Sequence, residues 1–327
     1  MKALHVRRPR REQLAFALGL LLGVISWRCS ERNEILRLVV MLAALRGEPP
    51  RRGIKFYFGA MLAGCAALSL LSAAGIFGQL YLVQDFDGSG PDLRWCFGMG
   101  NPNAASCMFA MLILTGLWLF GEKLRWYSYL LLLGADLLLY VLCRSALSFG
   151  VLLLGLLLSA LFRYSARAGK SDLLYRSAGI LLAAGLLFCA AGAVWGDSLP
   201  FVGWIDTHLL TGRVASLWDT TFRAGTLATW RWFGDRRNTV FFDLGWVRVI
   251  YWYGVIPMLA ALALVYRWLQ VVRERRDTAA FALVCPLVLY TLAEAHLVSV
   301  YLGRNIALPL LAACLPYILG AGQGSEQ

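Results

Sequence analysis

Leu, Ile, Val, Ala and Gly dominate this chain and fall into apolar stretches separated by short polar loops. Eight stretches read as membrane-crossing helices: residues 55–78, 104–120, 127–143, 146–162, 178–195, 244–266, 279–297 and 303–320. A crossing takes about 20 mostly apolar residues, because a rise of 1.5 Å per residue must cover a hydrocarbon layer about 30 Å thick. Two weaker stretches, 14–27 and 35–45, precede them, and the second is short enough to be a buried helix instead. The pattern predicts an all-α, polytopic transmembrane helix bundle of about 10 spans, with 8 to 10 allowed, forming one integral membrane domain over 1–327.

Two polar intervals stand out, 79–103 and 196–243. Connections inside a compact bundle are usually a handful of residues, so the second interval is expected to be functional. It carries its own apolar positions and a set of aromatics, including Trp204, Trp218, Trp230, Trp232 and Phe233. Aromatic rings favour the headgroup layer, which predicts interfacial helices lying over the bundle.

Composition supports a membrane chain, with 59% hydrophobic residues, 15% charged residues and a mean hydropathy of +0.64. Charge then orients it. With a cytoplasmic N-terminus and ten crossings, the inside loops hold 19 of the 31 Lys and Arg residues, including all four lysines. The remaining 12 are all arginine, and eight stand clearly on the outer side: Arg94, Arg144, Arg213, Arg223, Arg231, Arg236, Arg237 and Arg304. A planar guanidinium grips a diphosphate with two donors at once, which an ammonium does not do. The asymmetry therefore points to an anionic, lipid-diphosphate substrate at the outer face. No cleavage-like small-residue motif follows the first apolar segment, which is expected to remain as an anchor. Six of the eight cysteines fall inside spans, where packing is their expected role, and no Cys/His spacing suggests a metal site.

Several polar groups are candidates for chemistry. Asn101 and Asn103 lie where a loop re-enters the membrane with Arg94 close by; they are either a turn with a helix cap or donors around an anion. Arg144 sits in a tight turn between two apolar runs, as a snorkelling side chain or as the wall of a diphosphate pocket. Asp206, His208, Thr211 and Arg213 form the densest polar group of the long loop; Asp206 and His208 are proton-handling candidates, or a helix cap and a surface histidine. Asp243 closes that loop, while Glu294, His296, Arg304 and Asn305 gather near the last outer turn. Asp136, in mid-span, marks either a buried structural pair, the favoured reading, or a proton relay, since an unpaired carboxylate is expensive there.

Four segments carry a resemblance. Arg94-Trp-Cys-Phe-Gly-Met-Gly-Asn-Pro-Asn103 resembles the Arg-x-x-x-Gly-Phe-x-His-Pro-Asn region of bacterial polysaccharide polymerases, with Gly100-Asn101 where those proteins often have a small residue and histidine. Cys143-Arg144-Ser145 is similar to the family's short Ser-Arg turn, and Leu209-Leu210-Thr211-Gly212-Arg213 to its Leu-Leu-(Ser/Thr)-Gly-Arg element. Phe242-Asp243-Leu244-Gly245-Trp246, followed by Gly254, is similar to the return of the large loop to the bundle. The resemblance spans roughly residues 80–305 and is to Wzy-like O-antigen or capsular polysaccharide polymerases, in the superfamily that includes O-antigen ligases. It implies a metal-independent membrane glycosyltransferase of the bacterial cytoplasmic membrane, working at the periplasmic or exterior face and needing no cofactor. Undecaprenyl-diphosphate-linked oligosaccharides are the implied substrates: a sugar hydroxyl of one attacks the reducing-end sugar of another, and undecaprenyl diphosphate leaves. A flippase and a chain-length regulator are the implied protein partners, with no nucleic acid. On this reading Arg213 and Arg144 stabilise the leaving diphosphate, with Arg94 or Arg304 next, and Asp206, His208, Glu294 or His296 takes the hydroxyl proton. A ligase that moves the glycan to another acceptor, a transporter of lipid-linked or anionic substrates, and a non-catalytic membrane protein remain the alternatives.

Overall fold

Prolines and left-handed residues punctuate the first third of the chain. In the computed structural model, which describes residues 9–85, 90–210, 212–219, 223–294 and 306–320, α1 (Arg10–Ser30) follows Pro9 and stops where Glu31 turns left-handed at φ 61°. From there α2 (Glu34–Leu45) doubles back along α1. The far ends of this pair are tied by a fork from Arg46 to the buried Glu12, at 2.7 Å for Nε–Oε1 and 3.4 Å for Nη2–Oε2. Next, α3 (Pro50–Ala73) opens on a proline, whose missing N–H is harmless in a first turn.

The 79–103 interval contains an element the apolar runs do not announce. Strands β1 (Tyr81–Asp85) and β2 (Pro91–Trp95) pair antiparallel, with Tyr81 opposite Trp95 and Asp85 opposite Pro91. Tyr81 and Val83 on β1 and Trp95 on β2 favour such a ribbon. It leads into α4 (Pro102–Phe120), then α5 (Trp126–Cys143) and α6 (Ala146–Tyr164), the last two joined by the two-residue turn at Arg144 and Ser145. After a short α7 (Ala166–Lys170) comes α8 (Asp172–Trp195).

The described residues of 196–243 include short helices. These are α9 (Pro200–Ile205), a π-helical turn over Asp206–Leu210, and α10 (Ala215–Asp219). The chain then re-enters the bundle as α11 (Gly245–Tyr253), α12 (Val255–Glu274), α13 (Thr278–Ala293) and α14 (Leu308–Ile318). The apolar run 244–266 is therefore two helices and not one span. Gly254 breaks it at φ 98°, a conformation that favours glycine. Loop residues fill the break: Val255 N–H donates to the Arg231 carbonyl at 2.8 Å and Ile256 N–H to that of Trp232 at 3.1 Å. A Cβ on Gly254 would stand 2.4 Å from Phe233 Cα, so only glycine lets the loop lie this close.

The core sits where α4, α6 and α13 meet. Gly155 of α6 receives Leu114 of α4 so closely that a Cβ there would lie 2.2 Å from Leu114 Cδ2. The middle of α13 is apolar on every side and largely buried, as a central helix must be. Outer helices show the opposite: Leu131 on α5 and Leu187 on α8 are about 70% exposed, at 70% and 73%. Apolar surface of that extent belongs in lipid, not water.

Among the described residues, seven helices are long and apolar enough to cross a membrane: α1, α3, α4 with its continuation to Lys123, α5, α6, α8 and α12. Together they make an all-α architecture of the polytopic membrane kind, the small hairpin aside. The weak stretch 35–45 is α2, whose 12 residues reach about 18 Å at 1.5 Å per residue. Of the last two apolar runs, the described parts form helices of 16 and 11 residues.

Candidate functional site

Arg213 joins two carboxylates brought together from distant parts of the chain. Its Nη2 donates to Glu294 Oε1 at 2.9 Å, its Nη1 to the Leu210 carbonyl at 3.4 Å, and its Nε stands 3.9 Å from Asp243 Oδ2. The Arg213 and Glu294 side chains are 12% and 13% exposed and Asp243 is 37% exposed, so the guanidinium is mostly enclosed while one carboxylate opens outward. One cation between two carboxylates leaves the trio net anionic. Arg213 therefore holds and aims two carboxylates more readily than it clamps a separate diphosphate.

Glycine makes this meeting possible. A Cβ on Gly245 would lie 2.1 Å from the Thr291 carbonyl oxygen and 2.3 Å from that of Glu294, so the start of α11 rests directly on the end of α13. Trp246 seals the contact by donating its indole N–H to Thr291 Oγ1 at 2.8 Å. Asp243 and Glu294 are thus carried by two segments pressed backbone to backbone, and Arg213 spans them from the loop.

The turn bearing Arg144 reaches the same end of α13. Arg144 is in the left-handed conformation at φ 54°, and its exposed side chain makes no ion pair among the described residues. Beside it, Ser145 Oγ donates to Ser148 Oγ at 3.2 Å, Ser148 bonds the Tyr290 hydroxyl at 2.7 Å, and the Tyr290 carbonyl accepts the Glu294 N–H at 2.9 Å. Arg94 approaches from the hairpin. The Cys96 and Cys143 sulfurs lie within electrostatic reach of each other, which sets the end of β2 beside the Arg144 turn. Arg94 itself pairs with Asp92, Nε to Oδ2 at 3.0 Å. Burial pushes the Cys96 thiol above its ordinary range despite opposing backbone hydrogen bonds, so it stays protonated and inert.

Asp206 is 4% exposed and both its oxygens are taken, Oδ1 by Val214 N–H and Oδ2 by Ala215 N–H, each at 2.8 Å. It caps the turn leading into α10, the structural one of its two sequence readings. His208 is exposed, stacked on Trp204 at a centroid distance of 4.8 Å, with Nδ1 against the Trp204 carbonyl at 2.9 Å. Asn101 caps α4 by accepting the Asn103 N–H at 2.8 Å, and Asn103 is exposed beside it. The Gly98 φ of 78° and its close approach to the Leu68 carbonyl in α3 account for one glycine of this motif. Thr211, His296, Arg304 and Asn305 lie outside the described residues.

Three participants carry no sequence signal of their own: Ser148, Tyr290 and Thr291 are ordinary polar residues in apolar runs. Only their partners across the bundle mark them. Asp136 is 2% exposed in the α5 stripe with Tyr129 and Cys143, and its Oδ2 accepts no hydrogen bond among the described residues, so the pairing expected from sequence is not seen there. No protein-family model, curated protein or solved structure matches this chain.

Proposed function

We propose that this chain is a membrane glycosyltransferase of the polysaccharide-polymerase type, joining undecaprenyl-diphosphate-linked oligosaccharides at the outer face of a bacterial cytoplasmic membrane. One observation carries the reading: Arg213, Asp243 and Glu294, separated by up to 81 residues, converge at the bundle end that also bears Arg144. An enclosed carboxylate held by a guanidinium is a competent proton acceptor for a sugar hydroxyl, because its orientation is set before substrate arrives. Glu294 takes that role, with Arg213 and Asp243 positioning it. Arg144 is the guanidinium available to the leaving diphosphate, where preorganised positive charge offsets several kcal/mol of developing negative charge. In this scheme the N-terminus is cytoplasmic and the shorter helices α2, α13 and α14 complete a ten-pass topology.

Transport is the second reading, and the break at Gly254 favours it, since discontinuous helices often frame transporter sites. Against it, the freed N–H groups at this break are occupied by the Arg231 and Trp232 carbonyls. The test is glycan transfer in proteoliposomes supplied with lipid-linked repeat units from the native pathway. Wild type is expected to make a ladder, and Glu294→Gln and Arg144→Gln are expected to lose it while still folding. Folded wild type that makes no ladder with the matched substrate refutes the polymerase, and transfer to a different acceptor alone identifies a ligase.

A further inference from the structure

The α1–α2 pair packs against α14 but leaves a gap toward α12. Between the four helices lies a cavity of about 430 Å³ whose lining is entirely apolar, including Phe16, Leu38, Ala261 and Leu311. An engineered apolar cavity of about 150 Å³ already binds benzene, so this one has room for a length of hydrocarbon chain. Two of its walls, α1 and α12, are long and apolar enough to cross a membrane, where the abundant apolar molecules are lipid chains.

One end of the cavity is marked by Ile35 and Val249, and their chain neighbours are charged. The Tyr253 hydroxyl feels the charges of Glu34, Arg32 and Arg248 together, which gathers these groups beside that end. Arg248 is buried with its guanidinium 3.9 Å from the Phe241 ring centroid and 4.7 Å from that of Trp252, and Arg32 covers Trp252 at 3.9 Å. Arg32 Nη2 also donates to the Asn238 carbonyl at 3.4 Å, and Arg236 pairs with Glu31 at 3.3 Å, so residues 28–37 and 235–248 meet here. These two segments contain six arginines against four carboxylates and no lysine, which leaves the patch cationic.

We propose that this cavity and its arginine-rich end form a binding site for an anionic phospholipid, with one acyl chain among α1, α2, α12 and α14 and the phosphate at Arg32. Neither the cavity lining nor Arg32 belongs to the Arg213 trio, so the site stands or falls independently of the glycosyltransferase reading. A phosphodiester suits guanidinium groups through paired donors, whereas a zwitterionic headgroup brings its own cation to a patch already positive.

The test reconstitutes the full chain in phosphatidylcholine vesicles holding equal trace fractions of two photoactivatable lipids, phosphatidylglycerol and phosphatidylcholine, each with a diazirine at the acyl terminus. Labelling of α2 and α12 peptides is read by mass spectrometry and normalised to α5, whose exposed Leu131 reports bulk lipid. Phosphatidylglycerol is expected to label α2 and α12 several-fold more than phosphatidylcholine. Ala261→Trp, or Leu38→Trp where the first does not fold, is expected to reduce that label to the α5 level by filling the cavity. Arg32→Gln is expected to keep the label and lose the headgroup preference. Equal labelling by the two lipids in wild type, or label that survives the cavity-filling variants, overturns the proposal.

Discussion

Gly245→Ala adds one methyl group at the contact that joins the two carboxylate-bearing segments. That methyl would stand 2.1 Å from the Thr291 carbonyl oxygen and 2.3 Å from that of Glu294, where real Cβ contacts do not come below 3.0 Å. The difference, 3.0 less 2.1, requires α11 and α13 to part by at least 0.9 Å, because both obstacles are main chain and no rotamer relieves them. A rigid shift of that size takes the 2.8 Å Trp246–Thr291 bond and the 2.9 Å Arg213–Glu294 bond beyond hydrogen-bonding distance. Overpacking costs about 1–3 kcal/mol and the two bonds contribute about 2–4 kcal/mol together, giving a loss of about 3–7 kcal/mol. Gly179→Ala in mid-α8 is the control, since nothing lies within 4 Å of its Cβ and its backbone is helical. Alanine there is expected to gain about 0.5–1 kcal/mol from helix propensity. Thermal unfolding of the purified protein in detergent, followed by tryptophan fluorescence, reads both. With a shift of about 2–4 °C per kcal/mol, Gly245→Ala should melt at least 6 °C lower and Gly179→Ala about 1–4 °C higher. A Gly245→Ala protein melting within about 1 °C of wild type would refute the close α11–α13 contact and the shared placement of Asp243 and Glu294.

A double-mutant cycle with Arg213→Met and Glu294→Gln is expected to give a coupling energy of about 1–3 kcal/mol in the same assay, and a value below about 0.5 kcal/mol means the 2.9 Å pair does not form. Asp206→Ala removes the acceptor of two backbone N–H groups and is expected to cost about 2 kcal/mol; limited proteolysis between residues 206 and 219 should quicken, and an unchanged digestion pattern would count against the cap.

Long apolar runs made the helical, lipid-facing architecture legible, because hydrocarbon leaves a chain little choice but to satisfy its backbone internally. What the runs could not show is where a helix breaks for a reason distant in sequence. Residues 244–266 read as one span because Gly254 is unremarkable inside an apolar helix, and only the loop strand at 231–233 occupying its Cβ position explains the break. Hairpin residues 81–95 were hidden similarly, as their alternation is shorter than the spans around it. At the site, Arg213, Asp243 and Glu294 were each visible as polar residues beside apolar runs, but not their association. That depends on α11 resting on α13, a packing fact encoded in a single glycine.

The absence of lysine among the five basic residues of 196–243 has a physical explanation that the sequence could not supply. Much of the long loop lacks helical hydrogen bonding, so its carbonyls need other donors. Arginines provide them: Arg213 bonds the Leu210 carbonyl, Arg231 those of Ala228 and Trp230, and Arg32 that of Asn238, while Arg236 ties the loop to the Arg28 carbonyl at the end of α1. Arg213 and Arg236 hold carboxylates as well, which suits a planar group whose five donors point in fixed, separate directions. An ammonium on a flexible stem fits such split contacts less well. Much of the arginine excess therefore builds the loop, and the case for diphosphate recognition narrows to guanidiniums not already committed. Arg144, exposed in its tight turn beside the Glu294 end of α13, is the first of these, and its substitution separates a substrate contact from the loop's own architecture.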